Sequence, residues 1–194
     1  MKRLALLLMA ICLALPLTAS AVTITFDEYP VGTLIGSQYL GDGVYFSNWN
    51  TLSGTLPVIA ADAANPTSPV LAGPPFLPGG PLFESGFWMG FTSPQNHVSF
   101  DSGYWNSIGW GQVSVYDFSN NPLATLTNTA YGIYTFDINY ANIGFIVFNP
   151  NGDPAGAAID NLRFGEPVPE PSTMLLLGSG LAGLVGYVRK RLKK

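Results

Sequence analysis

Glycine and proline interrupt the chain between residues 22 and 165 so often that no segment shows a helical period. The whole chain holds 22 glycines and 16 prolines. A proline in a helix interior removes a hydrogen bond and clashes with the preceding turn. Between these breaks lie short runs of β-branched and aromatic residues, which favour extended strands. The sequence therefore predicts an all-β body.

The number and spacing of the runs predict a single β-sandwich or jelly roll over residues 22–165. The predicted strands are residues 22–26, 43–47, 96–100, 107–110, 112–118, 123–127, 132–136, 143–148 and 158–164. The turn at 119–122 predicts a hairpin between two of these strands. The stretch 56–81 contains seven prolines, and we interpret it as a long loop across one end of the sandwich.

The first 21 residues have the pattern of a secretory signal peptide. Lys2 and Arg3 precede an uncharged apolar stretch, and Ala19 and Ala21 are small residues at the two positions that signal peptidase reads. Cleavage is predicted after Ala21. The alternative, an uncleaved anchor helix, is less favoured because the apolar run is short. Cys12 lies in the middle of that run, a poor position for a lipoprotein cysteine, so the mature protein is predicted to contain no cysteine.

Charge is strongly segregated along the chain. All twelve acidic residues lie between Asp27 and Glu170, and Arg163 is the only basic residue among them, which gives this part a net charge of −11. Such a surface repels nucleic-acid phosphates and excludes nucleic acid as a partner. It is compatible with divalent cations, or with plain solubility outside the cell.

The C-terminal part is predicted to contain a spacer, a membrane segment and a charged end. Residues 166–173 form a proline-rich extended spacer. Residues 174–188 are uncharged and mostly apolar, and as a short transmembrane helix they would span about 22 Å of a hydrocarbon core of about 30 Å. Residues 189–194 form a basic tail expected to stay in the cytoplasm. Its basic residues are Arg189, Lys190, Arg191, Lys193 and Lys194.

This C-terminal arrangement resembles a PEP-CTERM sorting signal. The resemblance rests on Pro169, Glu170 and Pro171, the glycine-containing apolar run and the basic end, in that order. It implies export by a Gram-negative bacterium. With the predicted signal peptide removed by signal peptidase and the basic tail in the cytoplasm, we expect a transient inner-membrane stage with the N-terminus outside. The resemblance also implies cleavage by exosortase and association with exopolysaccharide or a biofilm matrix. The Pro-Glu-Pro residues would be read as substrate. The alternative is an ordinary C-terminal membrane anchor.

Acidic residues near the two ends of the body suggest a metal site. Asp27 and Glu28 close the first predicted strand, and Asp160 lies in the last one. The pattern resembles carbohydrate-binding and galactose-binding-like β-sandwiches, in which such residues hold a structural calcium ion. The resemblance implies Asp27, Glu28 and Asp160 as Ca²⁺ ligands, with Asn161 a weaker candidate. In the alternative, Asp27 starts a turn and Asp160 pairs with Arg163 or caps a strand end.

Residues for catalysis are sparse. His97 is the only histidine and has no nucleophile motif beside it. Glu84, Asp101 and Asp117 are carboxylates without a spacing that nominates a glycosidase pair. We therefore expect a non-enzymatic surface or matrix protein. The alternative is a carbohydrate-binding module that engages exopolysaccharide by stacking sugars on Trp49, Trp88 and Trp105, and a secreted hydrolase is a weaker alternative.

Overall fold

The computed structural model describes residues 21–49, 54–62, 68–75, 77–80 and 82–165, all within one compact unit, Ala21–Glu166. Its strands are β1 (Val22–Ile24), β2 (Val44–Asn48), β3 (Val58–Ala60), β4 (Val70–Ala72), β5 (Phe87–Trp105), β6 (Gln112–Asp117), β7 (Pro122–Thr127), β8 (Gly132–Asn149) and β9 (Ala158–Phe164). A short 3-10 helix, Leu40–Asp42, precedes β2. The all-β prediction is confirmed.

Backbone pairing joins the nine strands of the described residues into one antiparallel sheet. The main order is β3-β4-β9-β5-β8-β6-β7, with β1 paired to β9 and β2 paired to β5. The first and last strands therefore lie side by side, with Val22 opposite Phe164 and Ile24 opposite Leu162.

The long strands β5 and β8 bend, and the bend turns one sheet into a sandwich. Phe87 pairs with Phe148, and Phe100 follows Phe87 by 13 residues, about 43 Å along a straight strand. Yet the ring centroids of Phe100 and Phe148 are only 6.1 Å apart. The strand has therefore turned back, and its pairing register shifts between Gly90 and Gln95, where a bulge can absorb the bend.

The core fills the space between the two halves of the bent sheet. Phe148 contacts Phe87 and Trp105 as well as Phe100, so side chains from both halves meet around it. Its largest fully buried side chains include Trp105, Phe26, Phe87, Phe100, Phe136 and Phe148. Burial of these rings is the main source of stability for a cysteine-free domain.

Two local predictions are wrong, and two strands are longer than predicted. The stretch 56–81 contains β3 and β4, which pair with each other, while β4 also pairs with β9. Residues 107–110 form a turn in which Gly109 has a φ of 82°. The predicted strands 132–136 and 143–148 are parts of the single strand β8, and residues 87–91 were missed as the start of β5.

The predicted signal peptide up to residue 20, the spacer, the membrane segment and the basic tail lie outside the described residues. Within the part of the chain that is described, no helix has the length and apolar character needed to cross a membrane.

Candidate functional site

The outer face of one half of the sandwich carries a row of aromatic side chains. Strands β2, β5, β8 and β6 alternate buried and partly exposed residues there, so every second side chain points away from the core. Pairing places Tyr45 beside Gly90, Gly90 beside Phe145, and Phe145 beside Tyr116. Trp88 lies in the neighbouring row, between Ser47 and Val147. We call Tyr45, Trp49, Trp88, Tyr116 and Phe145 the aromatic platform.

Four rings of the platform contact one another, those of Tyr45, Trp88, Tyr116 and Phe145. Tyr116 stacks on Phe145 with centroids 4.5 Å apart and an interplanar angle of 7°. Trp88 meets Tyr45 edge to face at 5.2 Å and Phe145 at 6.3 Å. Edge-to-face and stacked pairs are the favoured arrangements of aromatic quadrupoles. These four rings therefore hold one another in place.

Gly90 makes room for these contacts. A Cβ atom at this position would lie 2.6 Å from Cζ of Tyr45 and 2.7 Å from Cζ3 of Trp88. The absence of a side chain in the middle of the row allows the Tyr45 ring to lie over the backbone and reach Trp88. Glycine here weakens a strand interior, but it gives the platform its shape.

Hydroxyl and amide side chains border the aromatic rows. Ser114 lies beside Val147 on one side and Thr125 on the other. In the next row outward, Gln112 lies between Asn149 and Thr127. The face therefore presents aromatic rings together with uncharged hydrogen-bonding groups.

Trp49 lines two of the depressions that the described residues form on this side of the molecule. The first, of about 270 Å³, is lined by Tyr45, Trp49, Trp88, Phe145 and Val147. The second, of about 250 Å³, is lined by Trp49, Glu84, Ser85, Gly86, Asn149, Pro150, Asn151, Gly152 and Asp153. Trp49 is 41 % exposed, so its ring is accessible between an apolar and a polar depression.

The structure separates the three tryptophans nominated for sugar stacking. Trp49 and Trp88 lie in the platform. Trp105 is fully buried, and its indole N–H donates to Oγ of Ser102 at 3.0 Å. The proposal of Trp105 as a stacking residue is therefore corrected, because its faces pack in the core. Sequence reasoning missed Tyr45, Tyr116 and Phe145, although each alternates with buried residues in its strand.

The residues nominated for calcium do not form a metal-binding group. Within the described residues, no three His, Cys, Asp or Glu side chains are placed to hold a metal ion together. Asp27 and Glu28 are exposed, and Oε2 of Glu28 accepts a hydrogen bond of 2.9 Å from the Tyr39 hydroxyl. Burial, and then the bond to Glu28, raises the pKa of Tyr39. Asp160 is fully buried. Calcium binding stays a prediction.

Asp160 belongs to a polar cluster where β5 pairs with β9. Its Oδ1 accepts a hydrogen bond of 2.7 Å from the backbone N–H of Asn161. The Asn161 side chain donates to Oδ2 of Asp101 at 3.0 Å, and Thr135 donates to Oδ1 of Asp101 at 2.6 Å. Arg163 lies 3.8 Å from Asp101. The cluster thus satisfies its carboxylates with protein donors.

The other candidate catalytic residues lie in separate places. His97 Nε2 is 2.7 Å from Oδ1 of Asp137 in an exposed cross-strand pair. Asp117 accepts hydrogen bonds from the turn after β6, and the Asn121 side chain contributes most to lowering its pKa. Glu84 is exposed and lines the polar depression. The expectation of no enzymatic activity stays a prediction.

Comparison with protein families identifies the C-terminal segment. Residues 167–191 match the model of the PEP-CTERM protein-sorting motif. Comparison with curated proteins gave no match. The match confirms the resemblance drawn from Pro169, Glu170, Pro171 and the segment that follows them. The chain is an exported protein that carries a PEP-CTERM sorting signal, the signal that addresses a protein to exosortase.

Proposed function

We propose that the protein is a non-enzymatic component of the cell surface or extracellular matrix and that its body binds exopolysaccharide through the aromatic platform. The observation that carries the proposal is the partly exposed set of aromatic rings on the outer face of β2, β5, β8 and β6. The sorting signal supports the delivery of this face to the outside of the cell.

The chemistry of the face suits a sugar chain. The faces of pyranose rings carry C–H groups, which pack on aromatic rings in the way other apolar groups do. Sugar hydroxyls need hydrogen-bonding partners, and Ser114, Gln112 and Asn149 border the rings. The aromatic rows run across the four strands β2, β5, β8 and β6, about 14 Å at the usual strand separation. A surface this long can contact several sugar units at once.

The proposed matrix role combines weak contacts to many sugar units with export of the body to the outside of the cell. Shallow surface sites on a rigid scaffold bind each sugar unit weakly, and a long polymer offers many such units. The body itself is a folded sheet with a continuous aromatic core, which suits a protein that has to persist outside the cell without disulfides. Binding and bulk would then be its contribution to the matrix.

Affinity electrophoresis of the full chain in mild detergent, through gels containing neutral polysaccharides, tests the proposal. Soluble β-glucan, galactomannan and dextran are suitable probes. We expect at least one to retard the wild-type protein and Trp49→Ala and Trp88→Ala to weaken that retardation. Tyr131→Ala is the matched control, because Tyr131 is 66 % exposed and lies outside the platform.

Equal retardation of the platform variants and the wild-type protein would contradict the proposal. Release of reducing sugar from any of the polymers would overturn its non-enzymatic part. Near-ultraviolet circular dichroism of each variant checks that the fold is retained.

A further inference from the structure

We propose that the aromatic platform and the polar depression beside it form one continuous groove that takes neutral polysaccharide and excludes polymers of uronic acids. This inference rests on the proposed function and specifies its ligand. Trp49 lines both depressions, and its backbone N–H donates to the carbonyl of Gly86 at 3.2 Å. A chain lying on the platform therefore continues over Trp49 into the polar depression.

The polar depression offers sugar hydroxyls strong acceptors. Glu84 is exposed, and in the part of the chain that is described its carboxylate makes no hydrogen bond or ion pair. A carboxylate accepts two hydroxyl hydrogen bonds at once, and hydrogen bonds to an ionised acceptor are stronger than neutral ones. The amides of Asn149 and Asn151 supply donors as well as acceptors at the same rim.

A second carboxylate, that of Asp153, adds negative charge at the polar depression. Asp153 is almost fully buried, at 6 % exposed. Its oxygens accept hydrogen bonds from the backbone N–H and side-chain amide of Asn106, both at 3.3 Å, and from the N–H of Ala155 at 3.0 Å. These bonds hold the carboxylate in place, so it contributes negative charge without moving to meet a ligand.

No described cation balances this charge at the groove. Among the described residues, those that line the two depressions include no lysine, arginine or histidine. Arg163, the one basic residue of the exported part, lies in β9 beside Asp101. An anionic polymer would bring its carboxylates toward Glu84 and Asp153, and like charges facing each other across an interface suppress binding. A neutral polymer meets no such repulsion.

Affinity electrophoresis of the full chain in detergent tests the charge selection by comparing the retarding neutral polymer with alginate, a uronic-acid polymer. At low salt we expect the wild-type protein to bind alginate at least about tenfold more weakly than the neutral polymer. Glu84→Gln removes one negative charge from the groove. It should reduce the ratio of the affinity for the neutral polymer to the affinity for alginate severalfold. Asp42→Asn also removes one negative charge, but at the opposite end of β2, away from the groove. It should leave this affinity ratio unchanged.

The outcomes separate the two proposals. Equal binding of both polymers, or an unchanged affinity ratio in Glu84→Gln, overturns the charge selection and leaves the sugar-binding platform standing. Retardation by neither polymer overturns the sugar-binding platform and the charge selection together.

Discussion

At the scale of single residues, Gly90 decides whether the platform keeps its shape. Replacing it with alanine would force Tyr45 or Trp88 to move, because the new Cβ would lie under 3.0 Å from both rings. Aromatic pairs contribute about 0.5–1.5 kcal/mol each. For Gly90→Ala we therefore expect roughly two- to tenfold weaker retardation by the neutral polymer, with a changed near-ultraviolet signal from Trp88.

Gly41→Ala is the matched control for this substitution, because a Cβ at Gly41 would meet nothing within 4 Å. It should bind as the wild-type protein does. If Gly90→Ala also bound as the wild-type protein does, the alignment of the rings would not matter for recognition.

Residue type alone does not determine which tryptophan is exposed. Trp88 and Trp105 both belong to β5, but Trp88 occupies an outward position and Trp105 an inward one. The register shifts of β5 lie between these two positions. A period-two pattern cannot be carried through such irregularities. The sequence could therefore nominate tryptophans as candidates, but long-range pairing was needed to separate the exposed ones from Trp105.

At the scale of elements, the hairpin between β6 and β7 is held by the carboxylate of Asp117. Oδ1 accepts the backbone N–H groups of Ser119 and Asn121, both at 2.8 Å, and Oδ2 accepts the Asn121 side chain at 2.9 Å. These bonds favour the charged form and lower the pKa of Asp117 below its ordinary 3.8, with the Asn121 side chain contributing most.

The lowered pKa predicts how the hairpin responds to pH. A carboxylate with a lowered folded-state pKa contributes stability that is present above its ordinary pKa of 3.8 and is lost as the pH falls through the folded-state value. We expect Asn121→Ala to raise the pKa of Asp117 toward 3.8, measured by an NMR titration of its carboxyl carbon. The control Asn139→Ala leaves the turn intact and should not change the pKa of Asp117. An identical titration in Asn121→Ala would show that the side-chain bond is not formed in solution.

The bend in β5 and β8 depends on Phe148, which contacts Phe87 in one half of the sheet and Phe100 and Trp105 in the other. Phe148→Ala removes these contacts and leaves a cavity between the halves. We expect the free energy of unfolding to fall by about 3–5 kcal/mol, measured by urea denaturation. Tyr131→Ala, on an exposed loop, should change it by less than about 0.5 kcal/mol. If Phe148→Ala also lowered the free energy of unfolding by less than about 0.5 kcal/mol, the two halves of the sheet would not share a core.

The elements found from the sequence are those with local signals. Strand β9 was predicted with its observed bounds, and the β6–β7 hairpin was predicted from its turn. Strands β3 and β4 have three residues each in a proline-rich stretch. They pair with each other, and β4 also pairs with β9, which lies far along the chain. The full length of β5 was also not predicted, because a proline such as Pro94 usually ends a strand. In the structure the strand continues through Pro94, and only its pairing register shifts there, between Gly90 and Gln95. Local patterns cannot report contacts of this kind.

At the scale of the whole molecule, the acidic residues and the basic C-terminal residues occupy separate parts of the chain. The acidic part carries twelve carboxylates against Arg163, and five basic residues follow in 189–194. The matched sorting motif, residues 167–191, includes the boundary between these regions. Cleavage near Pro169-Glu170-Pro171 would therefore release a strongly acidic body and leave the positive charge behind. Processing at this position would therefore also change the net charge of the protein.

Replacing the two prolines of the motif tests this separation in a bacterium that carries exosortase. Proline fixes φ and removes a backbone donor, so Pro169→Ala with Pro171→Ala changes both the backbone freedom and the backbone donors that the motif offers a processing enzyme. We expect the double variant to accumulate in the membrane fraction as the uncut form, with at least a severalfold fall in released protein by mass spectrometry. Pro78→Ala, an exposed proline of the body, controls for general effects of proline removal and should be released as the wild-type protein is. Unchanged release of the double variant would show that the Pro-Glu-Pro residues are not what the enzyme recognises, and the segment would then act as an ordinary membrane anchor.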